Sequence, residues 1–405
     1  MMASTSSRTL RVAVAGLGVG STQVLPAMEN MPGVEIKAAA DVRPEALAAF
    51  ESRFGGHGYT SVEELCSDPD VDAVWVSTPN QFHCQHVILA AQNGKHIVVE
   101  KPMALSMEEC ERMVAAAEAN GVKLLCGHTQ SFNPAIRAMR DIILSGELGQ
   151  VCALHTWMST DWMLRPRMPQ ELDLALGGGV VYRQGPHQID TVRLLGGGMV
   201  RSVRATTGQL MPERPAPGNY AAFLEFEDGT PATVIYNGYG YFDTSELTGG
   251  YGERHYAPEE RVSIRKQLRA QARDEEQAKQ AMRFGGQQEG EFAHGAAQAA
   301  RPQLPGGGSM FGITVATCER GDIRQSPPAS LLVYGDEGVR EVPVSGAAAS
   351  RNSELQELYD AVVEDRPVYH DGRWGMATLE VCLAIMQSAR ERREIVLSHQ
   401  SPTAH

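Results

Sequence analysis

A chain of 405 residues, 42% hydrophobic and 21% charged, has ordinary globular composition and room for two domains with separate cores. A formal net charge of −13 argues against a nucleic-acid partner, and no apolar run reaches the ~18–20 residues of a membrane helix. The seven scattered cysteines include no C-x-x-C pair and read as reduced core thiols of a cytoplasmic protein, not as a disulfide frame or a zinc site.

The polar stretch Met1 to Thr9 lacks the basic start and apolar core of a secretion signal and reads as a frayed tail. Leu10 to Ala15 predicts a buried strand that runs into Gly16-Leu17-Gly18-Val19-Gly20-Ser21. A helix-compatible stretch follows and stops at Pro32-Gly33. Val34 to Ala40 predicts a second strand ending at Asp41, and Pro44 to Phe54 a helix with proline in its first turn. Ser61 to Leu65 has the spacing of a capping box. Val71 to Ser77 predicts a strand leading into Thr78-Pro79-Asn80, and Gln85 to Asn93 a helix closed by Gly94. Lys95 to Val99 is a further strand, ending in Glu100-Lys101-Pro102. Ser106 to Asn120 is a helix with Gly121 just beyond it, and Val122 to Cys126 a fifth strand. This alternation predicts an α/β domain over residues 1–128, a Rossmann-type doubly wound parallel sheet. Right-handed crossovers place the strand C-termini on one edge, where ligands bind.

Beyond residue 128 the rhythm changes. Strand-like segments at Val151–Met158, Val200–Thr207, Ala221–Phe226, Ala232–Tyr236, Ser330–Tyr334 and Val339–Val344 recur without regular helices. They predict a second, α+β domain over residues 129–405, with a mostly antiparallel sheet for substrate binding and oligomerisation. Ser353–Glu364 and Met376–Arg393 are its closing helices. Residues 245–310 form an insertion: a charge-laced helix over Glu260–Arg283, then the Gly/Gln/Ala-rich Gly285–Gly308. It reads as a solvated surface helix and loop; an oligomer contact or an active-site cover is the alternative.

The glycine turn follows a strand and opens a helix, the setting in which a pyrophosphate approaches helix N–H groups. Asp41, 23 residues after Gly18, lies where an acid bonds the ribose hydroxyls of NAD. Arg43 could instead meet a 2′-phosphate, which leaves NADP open. Lys101 at the sheet edge can hold a substrate hydroxyl and take its proton, given a lowered pKa. Pro102 fixes the turn, and the sequence does not tell its isomer. Tight glycines bracket Gly177 to Asp190, which holds Tyr182, Arg183 and a candidate catalytic His187.

Taken together these segments resemble the Gfo/Idh/MocA family, relatives of glucose–fructose oxidoreductase and inositol dehydrogenase. The resemblance runs from the glycine turn through Ser77-Thr78-Pro79-Asn80 and His83, Glu100-Lys101-Pro102 and Gly177–Asp190 to the helix around Leu379–Ala389. It implies Lys101 and His187 as catalytic residues. It also implies a nicotinamide-dinucleotide site made by Gly16, Gly18, Val19, Gly20, Asp41, Arg43, Ser77, Thr78, Pro79, Asn80, His83, Glu100 and Lys101, and an assembly of two or four subunits. One departure matters: the family's usual aspartate before the glycine of the histidine segment is Arg183 here. Arginine binds carboxylates bidentately. With Arg165, Arg167, Trp162 and Tyr182, and with Lys101 and His187 at the reacting carbon, it suits a flat anionic ring. Asp161–Arg167, Gly177–His187 and Phe311–Gln325 resemble the branch of the family acting on aromatic dihydrodiols. That implies oxidation of cis-4,5-dihydro-4,5-dihydroxyphthalate to 4,5-dihydroxyphthalate, with no metal. The alternatives are a sugar or inositol dehydrogenase of the same family and a non-catalytic NAD(P)-binding sensor.

Overall fold

The computed structural model describes residues 8–127, 130–253, 256–289, 304, 310–344 and 350–404. The chain divides into two units, each described by itself.

The first unit is built on six strands: β1 (Leu10–Ala15), β2 (Val34–Ala40), β3 (His57–Tyr59), β4 (Ala73–Val76), β5 (His96–Glu100) and β6 (Leu124–Gly127). Their order is β3-β2-β1-β4-β5-β6, and every pairing is parallel. A parallel sheet covered on both faces needs strands that are apolar throughout, as in Ala-Val-Trp-Val of β4, which is buried at all four positions. Helices α1 (Ser21–Glu29), α2 (Pro44–Phe54), α3 (Val62–Ser67), α4 (His83–Gln92) and α5 (Met107–Ala119) make the crossovers. Ser61 and Ser106 cap α3 and α5 by accepting from the backbone N–H groups of Glu64 and Glu109. Leu10, Val12, Val14, Leu25, Phe50 and Trp75 form the core.

Phe284, Leu355, Leu358 and Tyr359 join that same core. The first unit therefore takes in Gln280–Glu291 and Arg351–Gly375 besides the residues up to Gly127. The sequence reading had placed both later segments in the second domain. Their apolar residues are too few to bury one another, so they return to a sheet laid down much earlier in the chain.

The second unit holds β7 (Val151–Ser159), β8 (Val200–Gly208), β9 (Asn219–Phe226), β10 (Pro231–Asn237), β11 (Ile313–Cys318), β12 (Gly321–Ser326), β13 (Ser330–Gly335), β14 (Gly338–Pro343) and β15 (Ile395–Val396). They form one sheet, ordered β14-β13-β12-β11-β7-β10-β9-β8-β15. It is antiparallel except where β10 runs parallel to β7. Helices α6 (Pro134–Ser145), α7 (Val180–Arg183) and α8 (Gly185–Leu195) precede β8, and α8 packs on β7 and β10. The charge-laced helix expected over Glu260–Arg283 is two helices, α9 (Pro258–Arg269) and α10 (Glu275–Ala281), separated at Gln271 with φ 50°. Nor is it wholly solvated, since Arg261, Leu268 and Lys279 are buried. Much of the Gly-rich stretch, 290–303 and 305–309, lies outside the described residues. The C-terminal helices are α11 (Ser350–Val363) and α12 (Gly372–Glu391). No helix among the described residues is long and apolar enough to cross a membrane.

Candidate active site

The glycine turn sits against the end of β4. Gly16 has φ +95°, and a Cβ there would lie 2.8 Å from the carbonyl oxygen of Ser77 and 2.9 Å from the Thr78 nitrogen. Only glycine allows this close approach. A Cβ on Gly20 would meet Ser77 Oγ at 3.1 Å. Asp41, at the end of β2, closes the same turn: its Oδ2 accepts from Leu17 N at 2.8 Å. Its Oδ1 accepts from Arg43 N at 2.9 Å and Arg43 Nε at 3.1 Å, and Arg43 Nη2 also donates to the Leu17 carbonyl. No side chain caps α1, so the N-terminus that follows the turn is left to backbone and ligand. Gly16, Gly18, Val19, Gly20, Ser77, Thr78, Asp41 and Arg43 thus meet on one sheet edge. A small-residue cradle with an acid at the second strand's end fits a dinucleotide.

The neighbouring strand end is tied to this edge. His83, at the start of α4, bridges two backbone carbonyls, Thr78 O at 2.8 Å from Nε2 and Pro102 O at 3.0 Å from Nδ1. It thereby joins the loop after β4 to the Lys101–Pro102 turn, whose peptide bond is cis. His83, expected at the cofactor site, is buried, and its ring ties these two loops together. Asn80 is buried beside it, and Lys101 is half-buried. Glu100 was likewise expected to touch the cofactor. Its carboxylate accepts from the Trp75 indole at 3.2 Å and pairs with Arg351 at 2.7 Å. Arg351 has no role in the sequence reading, because nothing in the pattern near it indicates that α11 returns to this strand.

In the second unit, Gly177 and Gly179 adopt positive φ, and a Cβ on Gly178 would lie 2.6 Å from Asp173 N. This turn launches α7 and then α8, with His187 in the first turn of α8. His187 is buried, and its ring centroid lies 5.0 Å from that of Phe311. Phe311 stacks on Tyr236 at 6.4 Å, and Tyr236 on Tyr220 at 5.7 Å. Tyr236 lies within the fields of Arg165 and Arg167, so the aromatic row connects the histidine to an arginine cluster.

Arg165, expected at the substrate, is engaged by carboxylates. Its Nε donates to Asp161 at 3.0 Å, and its two terminal nitrogens form a fork on Glu253 at 3.0 and 3.1 Å. The carboxylates hold its pKa above the ordinary arginine value. Arg167 differs. Its guanidinium lies 3.6 Å over the Trp162 ring, and Nη2 donates to the Trp162 carbonyl at 3.0 Å. Its carboxylate contact, to Glu171, is long at 3.4 Å, and its buried Nε has no partner among the described residues. Burial pushes its pKa down to about 10. Arg183 is likewise lowered by burial, with Glu171 opposing. Tyr182, beside Arg183 on α7, is buried.

The sequence reading missed the residues that complete this cluster. Lys279 of α10 donates to Glu171 at 3.0 Å, and burial brings its pKa to about 8. Glu171 is held far below the usual carboxylate range by Lys279 and Arg167, despite its burial. Arg214 and Arg273 both pair with Glu275, whose other oxygen contact is the Arg167 backbone N–H. Six basic side chains (Arg165, Arg167, Arg183, Arg214, Arg273 and Lys279) therefore face four carboxylates (Asp161, Glu171, Glu253 and Glu275). Among the described residues, basic side chains outnumber carboxylates in these contacts.

Comparison with known proteins agrees in sequence and fold. Residues 10–128 match an oxidoreductase family with a NAD-binding Rossmann fold, and residues 136–249 match the GFO/IDH/MocA C-terminal domain. A 1-carboxy-3-chloro-3,4-dihydroxycyclohexa-1,5-diene dehydrogenase of Comamonas testosteroni is 35% identical over 389 residues, covering 94% of this chain and 95% of its own. A 4-carboxy-2-hydroxymuconate-6-semialdehyde dehydrogenase of Sphingobium sp. is 28% identical over 228 residues, 56% of this chain and 71% of its own. A dehydrogenase of Bordetella bronchiseptica RB50 superposes with a TM-score of 0.86 at 39% identity, over 96% of this chain and all of that one.

Proposed function

The chain belongs to the Gfo/Idh/MocA family of NAD-dependent oxidoreductases, and from that we propose that it oxidises a carboxylated cis-dihydrodiol, cis-4,5-dihydro-4,5-dihydroxyphthalate, to 4,5-dihydroxyphthalate. The observation that carries this reading is the basic cluster around Arg167, whose guanidinium lies on the Trp162 ring with only a long contact to Glu171. Buried basic groups favour an anionic partner, and a ring bearing carboxylates is one. The 35%-identical relative bears a name that describes a ring with a carboxylate and a vicinal diol, which is the same class of substrate.

NAD, when bound, supplies the hydride acceptor. The chain's part is binding, orientation and proton movement. Gly16, Gly18 and Gly20 admit the pyrophosphate, and Asp41 takes the ribose hydroxyls. A 2′-phosphate would meet the Asp41 carboxylate, which favours NAD, while Arg43 is held on Asp41 and the Leu17 carbonyl. Lys101 takes the proton from the reacting hydroxyl as the carbinol C–H bond gives up its hydride, and His187 holds or relays that proton. The ketone formed loses a ring proton and gains one on oxygen, giving the catechol. Arg183 and Arg167 anchor the carboxylates, with Trp162 beneath Arg167 and Tyr182 against the ring. Arg165 serves them by neutralising Asp161 and Glu253.

This assignment is tested with Arg183→Ala. Loss of a charge-assisted contact to a carboxylate raises KM for the dicarboxylate about tenfold or more while kcat changes less. An unchanged KM would contradict the role given to Arg183.

A further inference from the structure

The chain from Trp162 to Met168 passes from one short 3-10 turn, Trp162–Leu164, towards another, Pro169–Glu171, outside any strand or α-helix. Trp162, Met163, Leu164, Arg165 and Arg167 are all buried, so the backbone polar groups of this loop need partners within the protein. Side chains far away in the sequence supply them. Arg214 donates from Nε to the Met163 carbonyl at 2.9 Å and from Nη2 to the Arg165 carbonyl at 3.2 Å. Arg273 Nη2 donates to the Leu164 carbonyl at 2.8 Å. Glu275 Oε2 accepts from the Arg167 backbone N–H at 2.9 Å. Glu275 also joins the three side chains into one unit: Oε2 accepts from Arg214 Nη2 at 2.8 Å, and Oε1 accepts from Arg273 Nε. One carboxylate therefore fastens four backbone groups of the loop, one directly and three through arginines. These are charge-assisted bonds, stronger than neutral ones. Burial works to raise the Glu275 pKa, yet Arg273 and Arg214 hold it below its ordinary value, so the carboxylate keeps its charge.

We infer that Glu275 is a positioning residue for substrate recognition: from the first turn of α10 it fixes the backbone of the Trp162–Arg167 loop, and so sets where the Arg167 guanidinium meets a substrate carboxylate. The inference rests on the reading of Arg167 as an anchor for that carboxylate. The loop is locked at its other end by Arg167 itself, whose Nη2 donates to the Trp162 carbonyl while its guanidinium lies over the Trp162 ring. Backbone direction sets the direction of a side chain, so freeing the Arg167 N–H and the three carbonyls lets the guanidinium slide from the indole. A displacement of about 1 Å is enough to weaken a directional contact severely. A carboxylate remote from the reacting carbon binds alike in the ground and transition states, so the loss falls on KM more than on kcat. Helix α10 of the insertion over residues 245–310 thereby takes part in recognition.

The test is a double-mutant cycle read by binding, without turnover. Calorimetric titration of the full chain, loaded with NADH, with 4,5-dihydroxyphthalate gives Kd for the wild type, Glu275→Ala, Arg167→Ala and the double variant. Each single change weakens binding about tenfold. The double variant binds no more weakly than Arg167→Ala alone, because Glu275 acts through the placement of Arg167. In steady-state kinetics Glu275→Ala raises KM for cis-4,5-dihydro-4,5-dihydroxyphthalate while kcat changes less. If Glu275→Ala fails to fold, Glu275→Gln, which keeps an acceptor oxygen without the charge, carries the same cycle with a smaller loss. An unchanged Kd in the Glu275 variant, or an equal loss in the wild-type and Arg167→Ala backgrounds, overturns the inference and leaves the proposed reaction standing. Undiminished binding in Arg167→Ala overturns the role of Arg167 as anchor, and with it that of Glu275. A wild type that does not bind 4,5-dihydroxyphthalate overturns the proposed reaction and the inference together.

Discussion

Glu354 illustrates how a single buried proton links folding to pH. Its carboxyl group rises from an ordinary 4.5 to about 7 through burial, with Glu100 adding to the effect and Arg351 opposing it. Between those values the folded chain binds a proton that the unfolded chain has released. Stability therefore falls as pH rises through that window, and the penalty is complete above it. Glu354→Gln removes the titration. Relative to this variant, the wild type should lose on the order of 2 kcal/mol between pH 5 and pH 8 in urea unfolding. Parallel stability curves for the two proteins over that range would contradict the assignment. The arginines teach a related lesson at the same scale. The sequence places Arg165 and Arg167 two residues apart and cannot separate them, because Arg165 pairs with the distant Glu253 while Arg167 shares Glu171 with the distant Lys279. In space one is saturated by carboxylates and the other lies on an indole with a buried nitrogen to offer.

At the scale of elements, one face of the second sheet shows partly exposed apolar residues among the described ones. Along β7, β9 and β10 the buried positions alternate with Trp157, Phe223 and Ile235, exposed by 39%, 47% and 40%. Trp157 lies opposite Ile235 on one side and Ile313 on the other, so the apolar residues form a stripe across strands rather than scattered points. Such stripes mark association surfaces, and the family resemblance implies an oligomer; we propose that a second copy of this chain covers the face. Trp157→Glu should lower the mass found by light scattering to that of one chain with the far-ultraviolet dichroism unchanged. A wild type already monomeric at micromolar concentration would sink the proposal. The elements were unevenly legible. Strands β1, β4, β5 and β6 announce themselves because burial on both faces makes them largely apolar runs, punctuated by glycine, proline and capping serines. Strand β12, Gly-Asp-Ile-Arg-Gln-Ser, buries only Ile323 and Gln325, so its composition hides it. Helix α6 went unread although Asn133 caps it and Pro134 opens it, a start signal that was present in the sequence. The break between α9 and α10 at Gln271 carries no glycine or proline to betray it.

For the whole molecule, net charge and site charge point in opposite directions. The chain carries −13 overall, while its candidate substrate cluster is rich in basic side chains among the described residues. Bulk charge thus rules on nucleic acid and says nothing about a small anion, whose recognition is local. The fold class and the cofactor edge were readable because a strand, a glycine turn and an acid at the next strand's end form a short-range pattern. The completion of the cluster by α10 and the return of α11 to Glu100 are long-range events that no spacing encodes. The central claim is that this oxidoreductase acts on a dicarboxylated cis-dihydrodiol. The most direct measurement is reduced-nicotinamide absorbance with purified protein and NAD or NADP, offered phthalate cis-4,5-dihydrodiol, the matching diol without carboxylates, myo-inositol and glucose in turn. The account predicts reduction of NAD with the dicarboxylate and little or none with the other three. Turnover of inositol or glucose, with the dihydrodiol inert, would contradict it.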